Sequence, residues 1–73
     1  MKKSEQYTKT EFGKFVKRQY GSLDEFAKAL EISVPTCRTY IKYPIRMRIS
    51  EFNKITDQTQ ISAQQLWIII QHQ

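Results

Sequence analysis

Apolar residues recur at helical spacing through most of the chain, and capping or turn residues separate the segments. The clearest stripe occupies positions i, i+3, i+4 and i+7 of one short segment, at Leu23, Phe26, Ala27 and Leu30. This spacing predicts an amphipathic helix. Ser22, followed three residues later by Glu25, forms a capping box that predicts where this helix begins.

A second short helix is predicted immediately after the first. Ser33 can cap it, and Pro35 falls in its first turn, where a missing N–H group costs little. Helical spacing directs an apolar set toward a core, namely Cys37, Tyr40 and Ile41. It directs a polar and basic set outward, namely Val34, Pro35, Arg38, Thr39 and Lys42. Residues 22–43 therefore predict a helix-turn-helix.

The segment before this motif also has a helical pattern. Residues 1–8 are polar, and we expect them to be flexible. Thr8 or Thr10 can cap a helix that Gly21 ends, as the residue following its last turn. Gly13 lies inside this helix, where it costs up to ~1 kcal/mol relative to Ala. The close approach of a neighbouring helix would explain this glycine.

Two further helices are predicted in the C-terminal half. Pro44 ends the preceding helix near residue 42 or 43. A helix over about 48–58 is predicted by apolar residues at a spacing of three, namely Ile49, Phe52 and Ile55. Ser62 and Gln65 form another capping box, which starts a fifth helix. No segment alternates cleanly between apolar and polar residues, so the predicted fold is all-α, a compact bundle of four to five short helices.

The apolar run Leu66–Ile70 is too long for one helical face, and its three adjacent isoleucines favour strand over helix. Some of these side chains must therefore be covered by something beyond the core contacts of a single helix. One interpretation is that Trp67 and Ile68 fold back on the first or fourth helix. The other is a homodimer interface formed by Trp67, Ile68 and Ile70, through helices or through paired terminal strands. The sequence leaves both interpretations open.

The size of the chain limits how it can be stabilised. Its 73 residues allow one small domain, which we place at residues 9–73. Such a domain buries only about 60% of its unfolded surface. Cys37 is the single cysteine, which excludes an internal disulfide and, with one histidine, a closed zinc site. We expect self-association as the reinforcement, and no cofactor, metal or small-molecule ligand.

The charge distribution favours a polyanionic partner. The formal net charge is +5 and the pI is about 9.6. The stretch Ile32–Ser50 contains no Asp or Glu but four cations, namely Arg38, Lys42, Arg46 and Arg48. A stretch of one sign is typical of a surface that follows DNA phosphates. The basic residues of the first helix, Lys14, Lys17 and Arg18, fit a solvated face instead.

Several classes of protein are disfavoured by what the sequence lacks. The N-terminus has no apolar signal-peptide core, and the longest apolar run falls far short of the roughly 20 residues that cross a bilayer. We therefore expect a soluble, cytoplasmic protein with no membrane partner. A glycine-rich phosphate loop, a metal-ligand cluster and a cysteine–histidine pair are all missing, so we do not expect an enzyme.

The motif residues resemble those of the Cro/CI-like repressors of temperate bacteriophages, within the XRE-type helix-turn-helix family. The matching positions are Ala27, Leu30, Ile32, Ser33, Cys37 and Tyr40. The resemblance covers roughly residues 10–70. Two positions depart from the family pattern, because Glu31 replaces the usual turn glycine and Leu23 replaces a glutamine that often touches a phosphate. A non-glycine turn residue must adopt a left-handed conformation, or the turn must change.

The resemblance implies a transcriptional regulator that reads double-stranded DNA as a homodimer, in the manner of a Cro-type repressor. The base-reading positions would be Val34, Pro35, Arg38 and Thr39. The phosphate-contacting positions would be Ser22, Ser33, Thr36, Lys42, Arg46 and Arg48. An alternative is a protein-interaction module on the same scaffold, such as an antitoxin or a regulator-binding protein, which the apolar run at residues 67–70 would serve.

Overall fold

The computed structural model describes residues 7–71. That range folds into five α-helices and contains no strand: α1 (Glu11–Tyr20), α2 (Leu23–Leu30), α3 (Val34–Lys42), α4 (Ile49–Thr59) and α5 (Ala63–Gln71). Two short 3-10 turns, at residues 7–9 and Pro44–Arg46, precede α1 and α4. The predicted all-α bundle of short helices is confirmed.

Local side-chain chemistry sets where most of the helices begin. The Thr10 hydroxyl, rather than that of Thr8, accepts the Gly13 N–H of α1 at 2.9 Å. Ser22 accepts the Glu25 N–H at the start of α2 at 3.2 Å. The capping box before α5 is reciprocal: the Gln65 N–H donates to the Ser62 hydroxyl at 3.1 Å, and the Ser62 N–H donates to the Gln65 side chain at 3.2 Å. These starts follow the sequence prediction.

The core lies where α1, α2, α3 and α5 face one another, and α4 closes it. Aromatic rings fill its centre: Phe12 lies 6.1 Å from both Phe15 and Phe26, measured between ring centroids. The fully buried side chains come from all five helices, namely Phe12, Phe15, Val16, Phe26, Leu30, Cys37, Ile55 and Leu66. Cys37 is a free, buried thiol, as its apolar position predicts.

A short turn of residues 31–33 joins α2 to α3. Glu31 ends α2 in the left-handed conformation, with φ of 60° and ψ of 43°. Its N–H donates to the carbonyl oxygen of Lys28, and the Ile32 N–H donates to that of Ala27. The turn therefore keeps the geometry that a glycine would favour, and Glu31 bears the steric cost of a side chain in that conformation.

Gly13 is explained by a different neighbour from the one the sequence suggests. A Cβ atom at this position would overlap the carbonyl oxygen of Tyr7 and lie 3.0 Å from the Thr10 hydroxyl. The close approach is made by the preceding 3-10 turn, and no second helix is involved. Tyr7 packs against the core, although the segment 1–8 is predicted to be flexible; residues 1–6 of that segment lie outside the described residues.

The C-terminal apolar run forms a helix, although its three adjacent isoleucines favour a strand. Leu66 and Ile70 are four residues apart and face the core, with 0% and 7% of their surface exposed. The structure corrects the expectation that Ile70 contributes to an interface, because its side chain is already buried within the chain. Trp67 and Ile68 stay on the outside, each 45% exposed. No described helix is long and apolar enough to cross a membrane.

Helix α4 presents a different face to the core from the one that its apolar spacing predicts. Ile55 is fully buried and Phe52 is half-buried, but Ile49 is 75% exposed. The inward position in the first turn belongs to Glu51, which is 7% exposed. Ile49 is the first residue of α4, three residues after Arg46, and at that position its side chain points away from the bundle.

Candidate nucleic-acid interface

The outer face of α3 is polar and accessible. Pro35, Arg38 and Thr39 are exposed, and Arg38 forms no ion pair within residues 7–71. Val34 is half-buried and packs against the core, so only part of this side chain reaches the outer face. The Thr39 hydroxyl donates to the Pro35 carbonyl oxygen at 3.2 Å, one turn earlier.

Three hydroxyl groups predicted to contact phosphates take part in helix capping. The Ser33 hydroxyl accepts the Thr36 N–H at 3.4 Å and shares a 2.9 Å hydrogen bond with the Thr36 hydroxyl. Ser22 accepts the Glu25 N–H. A capping hydroxyl that accepts one hydrogen bond can still donate its own proton. These hydroxyl groups therefore stabilise the starts of the helices. A phosphate contact would be an additional hydrogen bond made by the same groups.

An open cleft of about 220 Å³ lies between the end of α1, the start of α2 and the outer face of α3. Its lining comes from Tyr7, Lys17, Ser22, Leu23, Asp24, Val34 and Arg38. The structure thus brings Lys17 to the same cleft as Arg38, although sequence reasoning assigns Lys17 to a plain solvated face. The sequence could have indicated the place of Lys17 in this cleft, because Lys17 lies in the last turn of α1 and only a short turn separates it from the cap of α2.

The basic residues after α3 gather around one aromatic ring. The Lys42 ammonium lies 5.6 Å from the centroid of the Tyr43 ring, and the Arg46 guanidinium lies 5.1 Å from it. Both distances are within the range of cation–π attraction. Arg48 is exposed at the start of α4. The three predicted phosphate-contacting cations are therefore solvent-accessible, and two of them are held together by Tyr43.

The first acidic residue after this basic stretch points inward. Glu51 accepts the Arg48 N–H at 3.0 Å and also accepts a hydrogen bond from the hydroxyl of Tyr40, a residue that is buried as a whole. Burial raises the pKa of Tyr40, and the Glu51 carboxylate raises it further. Burial likewise raises the pKa of the Cys37 thiol to about 11, with a smaller contribution from the charge of Glu51. The carboxylate is withdrawn from the surface, which leaves the exposed part of this region cationic.

Two exposed isoleucines lie within the basic region, and sequence reasoning gave neither a role there. Ile45 is 76% exposed in the 3-10 turn, and Ile49 is 75% exposed at the start of α4. Tyr43 beside them is 46% exposed. The sequence does indicate that Ile45 is exposed, because it lies between Pro44 and Arg46 in a loop too short to fold its side chain inward.

A second exposed apolar surface lies on α5 and differs in charge. Trp67 and Ile68 form it, and the helix sequence AQQLWIIIQ contains no charged residue. The interface that the sequence offers for these two residues, as one of two interpretations, stays a prediction. Within the described part of the chain, no group of three or more histidine, cysteine, aspartate or glutamate residues is placed to hold a metal ion.

Comparison with known proteins found no matching family model, no matching curated protein and no matching solved structure.

Proposed function

We propose that this protein is a sequence-specific regulator that binds double-stranded DNA through α3, as a homodimer and in the manner of a Cro-type phage repressor. The observation that carries the proposal is the position of Arg38. Its side chain is exposed on a helix whose opposite face is core, beside a loop whose exposed charges are all positive. In a helix-turn-helix, the first turns of the second helix enter the major groove.

The outer face of α3 offers the chemistry that base reading needs. A guanidinium at Arg38 can donate two hydrogen bonds to O6 and N7 of a guanine. The methyl groups of Thr39 and Val34 can pack against a thymine methyl. Pro35 adds a rigid apolar contact at the start of the helix. We assign sequence readout to these four positions, with Arg38 contributing the most.

The cations after α3 suit the phosphate backbone, which fixes the register of a protein on DNA without reading its sequence. Lys42, Arg46 and Arg48 are exposed and lie close to one another along the chain. The hydroxyls of Ser22, Ser33 and Thr36 lie near the starts of α2 and α3, where backbone N–H groups also favour an anion. We assign these six residues to phosphate contacts.

The uncharged surface of α5 suits self-association. A protein with a net charge of +5 repels copies of itself, and Trp67 and Ile68 provide an apolar surface on a helix without charge. A two-fold dimer would place its two α3 helices on half-sites about 34 Å apart. Trp67→Ser is expected to shift the protein toward monomer in sedimentation equilibrium and to weaken binding to a palindromic site more than to a half-site.

The central experiment selects binding sites from random duplexes and then compares two variants on the selected site. Arg38→Ala is expected to relax preference at one base pair, at a cost of about 1–3 kcal/mol. Lys42→Ala is expected to weaken binding to all sequences alike and to reduce the salt dependence by about one phosphate contact. Lys54→Ala, an exposed cation on α4, serves as the control. Equal loss of operator and random DNA in Arg38→Ala would contradict a base-reading role.

A second candidate function is a protein-interaction module, such as an antitoxin or a regulator-binding protein. The exposed pair Trp67 and Ile68 favours it, since an apolar surface can also receive a different protein. Binding to mixed genomic DNA separates the two candidates. Measurable affinity at low salt that falls as salt is added supports the DNA regulator, and negligible affinity even at low salt supports the interaction module.

A further inference from the structure

The loop between α3 and α4 combines two properties that rarely coincide on a protein surface. It carries exposed cations, and it also exposes most of two large aliphatic side chains, Ile45 and Ile49. These two residues are four positions apart, so their backbones lie at most about 14 Å from each other. Nothing within residues 7–71 covers either side chain. A solvated loop of a small domain gains nothing in stability from such exposure.

Charge complementarity limits what can cover this surface. The segment 32–50 contains no acidic residue, and of the two that border it, Glu51 on the side of Ile45 and Ile49 is buried and hydrogen-bonded, whereas the exposed Glu31 lies in the turn before α3. Tyr43 holds the Lys42 and Arg46 charges beside Ile45. A second copy of the chain would bring its own cations, so its basic loop is a poor match. The fitting partner combines regularly spaced negative charges with apolar surface between them.

Duplex DNA has that combination, because apolar deoxyribose faces lie between its phosphates. We propose that Ile45 and Ile49 pack against the sugar–phosphate backbone beside the groove that receives α3, while Lys42 and Arg46 neutralise the flanking phosphates. The contact rests on the DNA binding proposed above. It adds an apolar contribution to affinity that does not depend on counterion release, and it therefore persists at salt concentrations that weaken the ionic contacts.

The test measures the affinity of full-length protein for its selected duplex across a range of salt concentrations. The double variant Ile45→Ser, Ile49→Ser is expected to lose about 10- to 100-fold in affinity at every salt concentration. The slope of log affinity against log salt should be unchanged, because no cation has been removed. The matched control, Ile45→Leu with Ile49→Leu, keeps the apolar surface and should bind within about twofold of the parent. Both side chains are exposed, so the thermal midpoint should not change.

A second arm replaces the duplex with heparin, a polyanion without deoxyribose or bases. The serine variant should bind heparin as the parent does. If the parent binds its duplex and the serine variant binds it equally well, the proposed apolar contact is overturned. The proposed function is not affected by that result. Equal loss on heparin, or a reduced salt slope, would also overturn the apolar contact, since the effect would then act through the cations. Failure of the parent to bind DNA at low salt would overturn the proposed function itself.

Discussion

The buried Glu51 carboxylate offers a quantitative test of how α4 is joined to α3. Glu51 accepts hydrogen bonds from the Arg48 N–H and the Tyr40 hydroxyl, and both Glu51 and Tyr40 are less than a tenth exposed. Glu51→Ala removes the carboxylate that the Tyr40 hydroxyl and the Arg48 N–H both interact with. The same substitution exposes Arg48 N–H to solvent, which can replace the lost hydrogen bond only in part.

The expected loss of stability is large for a domain of this size. The lost interaction with the Tyr40 hydroxyl and the lost bond at the helix start each cost about 0.5–1.5 kcal/mol. We therefore expect Glu51→Ala to lower the free energy of unfolding by about 1–3 kcal/mol. At about 0.05–0.15 kcal/mol per residue, the 73-residue chain has a total of roughly 4–11 kcal/mol.

A double-mutant cycle isolates the contribution of the hydrogen bond. Tyr40→Phe removes the hydroxyl group, so combining it with Glu51→Ala removes both partners of the interaction. The double variant should therefore be more stable than the sum of the single losses predicts, by about 0.5–1.5 kcal/mol. Glu51→Gln keeps an acceptor without the charge and should cost about 1 kcal/mol.

Urea unfolding followed by circular dichroism at 222 nm measures the parent and the four variants under one condition. The reasoning fails if the two single losses add to within about 0.3–0.5 kcal/mol, because Tyr40 and Glu51 would then not interact. It also fails if Glu51→Ala costs less than about 0.5 kcal/mol, the range of ordinary surface substitutions. Either result would indicate that the Glu51 carboxylate is exposed to solvent. Its negative charge would then offset part of the positive charge of the α3–α4 loop.

Three further predictions concern stability. Glu31→Gly should raise the free energy of unfolding by about 1 kcal/mol, because glycine enters the left-handed conformation without steric cost; urea unfolding measures it, and a loss of stability would contradict the strain. Gly13→Ala should be destabilising, although alanine favours helices, because its Cβ overlaps the Tyr7 carbonyl oxygen; thermal melts test this, and a higher midpoint would contradict it. The Cys37 thiol keeps its proton in the folded state to about pH 11 but loses it from about pH 9 when unfolded. Stability should therefore fall between about pH 9 and pH 11, by at most about 1.4 kcal/mol per pH unit, and Cys37→Ala should flatten that fall.

The helix boundaries could be predicted because local chemistry determines them. Thr10, Ser22 and Ser62 each accept an N–H three residues later, and this interaction depends only on sequence neighbours. The left-handed Glu31 follows from the same local reasoning, since two helices joined so closely need such a residue between them. The candidate base-reading face was predictable for the same reason, because the spacing within one short helix separates Arg38 from the core positions.

The sequence could not show how α4 and α5 are rotated toward the core. A spacing of three marks Ile49 and Phe52 as core residues, but tertiary contacts turn the helix so that Glu51 is inward and Ile49 is outward. Hydropathy ranks a glutamate as a surface residue, and its burial is made favourable by the Arg48 N–H together with the nearby Tyr40 hydroxyl. In α5, five consecutive apolar residues give no periodic signal, so the choice of Ile70 as a core residue depends on packing against α1 and α4.

These two rotations also determine how exposed apolar area is distributed over the molecule. Ile45 and Ile49 are exposed where the charges are positive and the nearest carboxylate is buried, while Trp67 and Ile68 are exposed on a helix that has no charge. Two copies of a protein with a net charge of +5 can approach most closely where neither presents charge, whereas a polyanion is attracted where cations surround the apolar groups. The charge around each exposed apolar surface is therefore the basis of both proposals, which are self-association through α5 and DNA contact through the α3–α4 loop. Because Glu51 is buried, its negative charge does not offset the cations around Ile45 and Ile49. The α3–α4 loop therefore stays cationic, whereas the exposed surface of α5 has no charge.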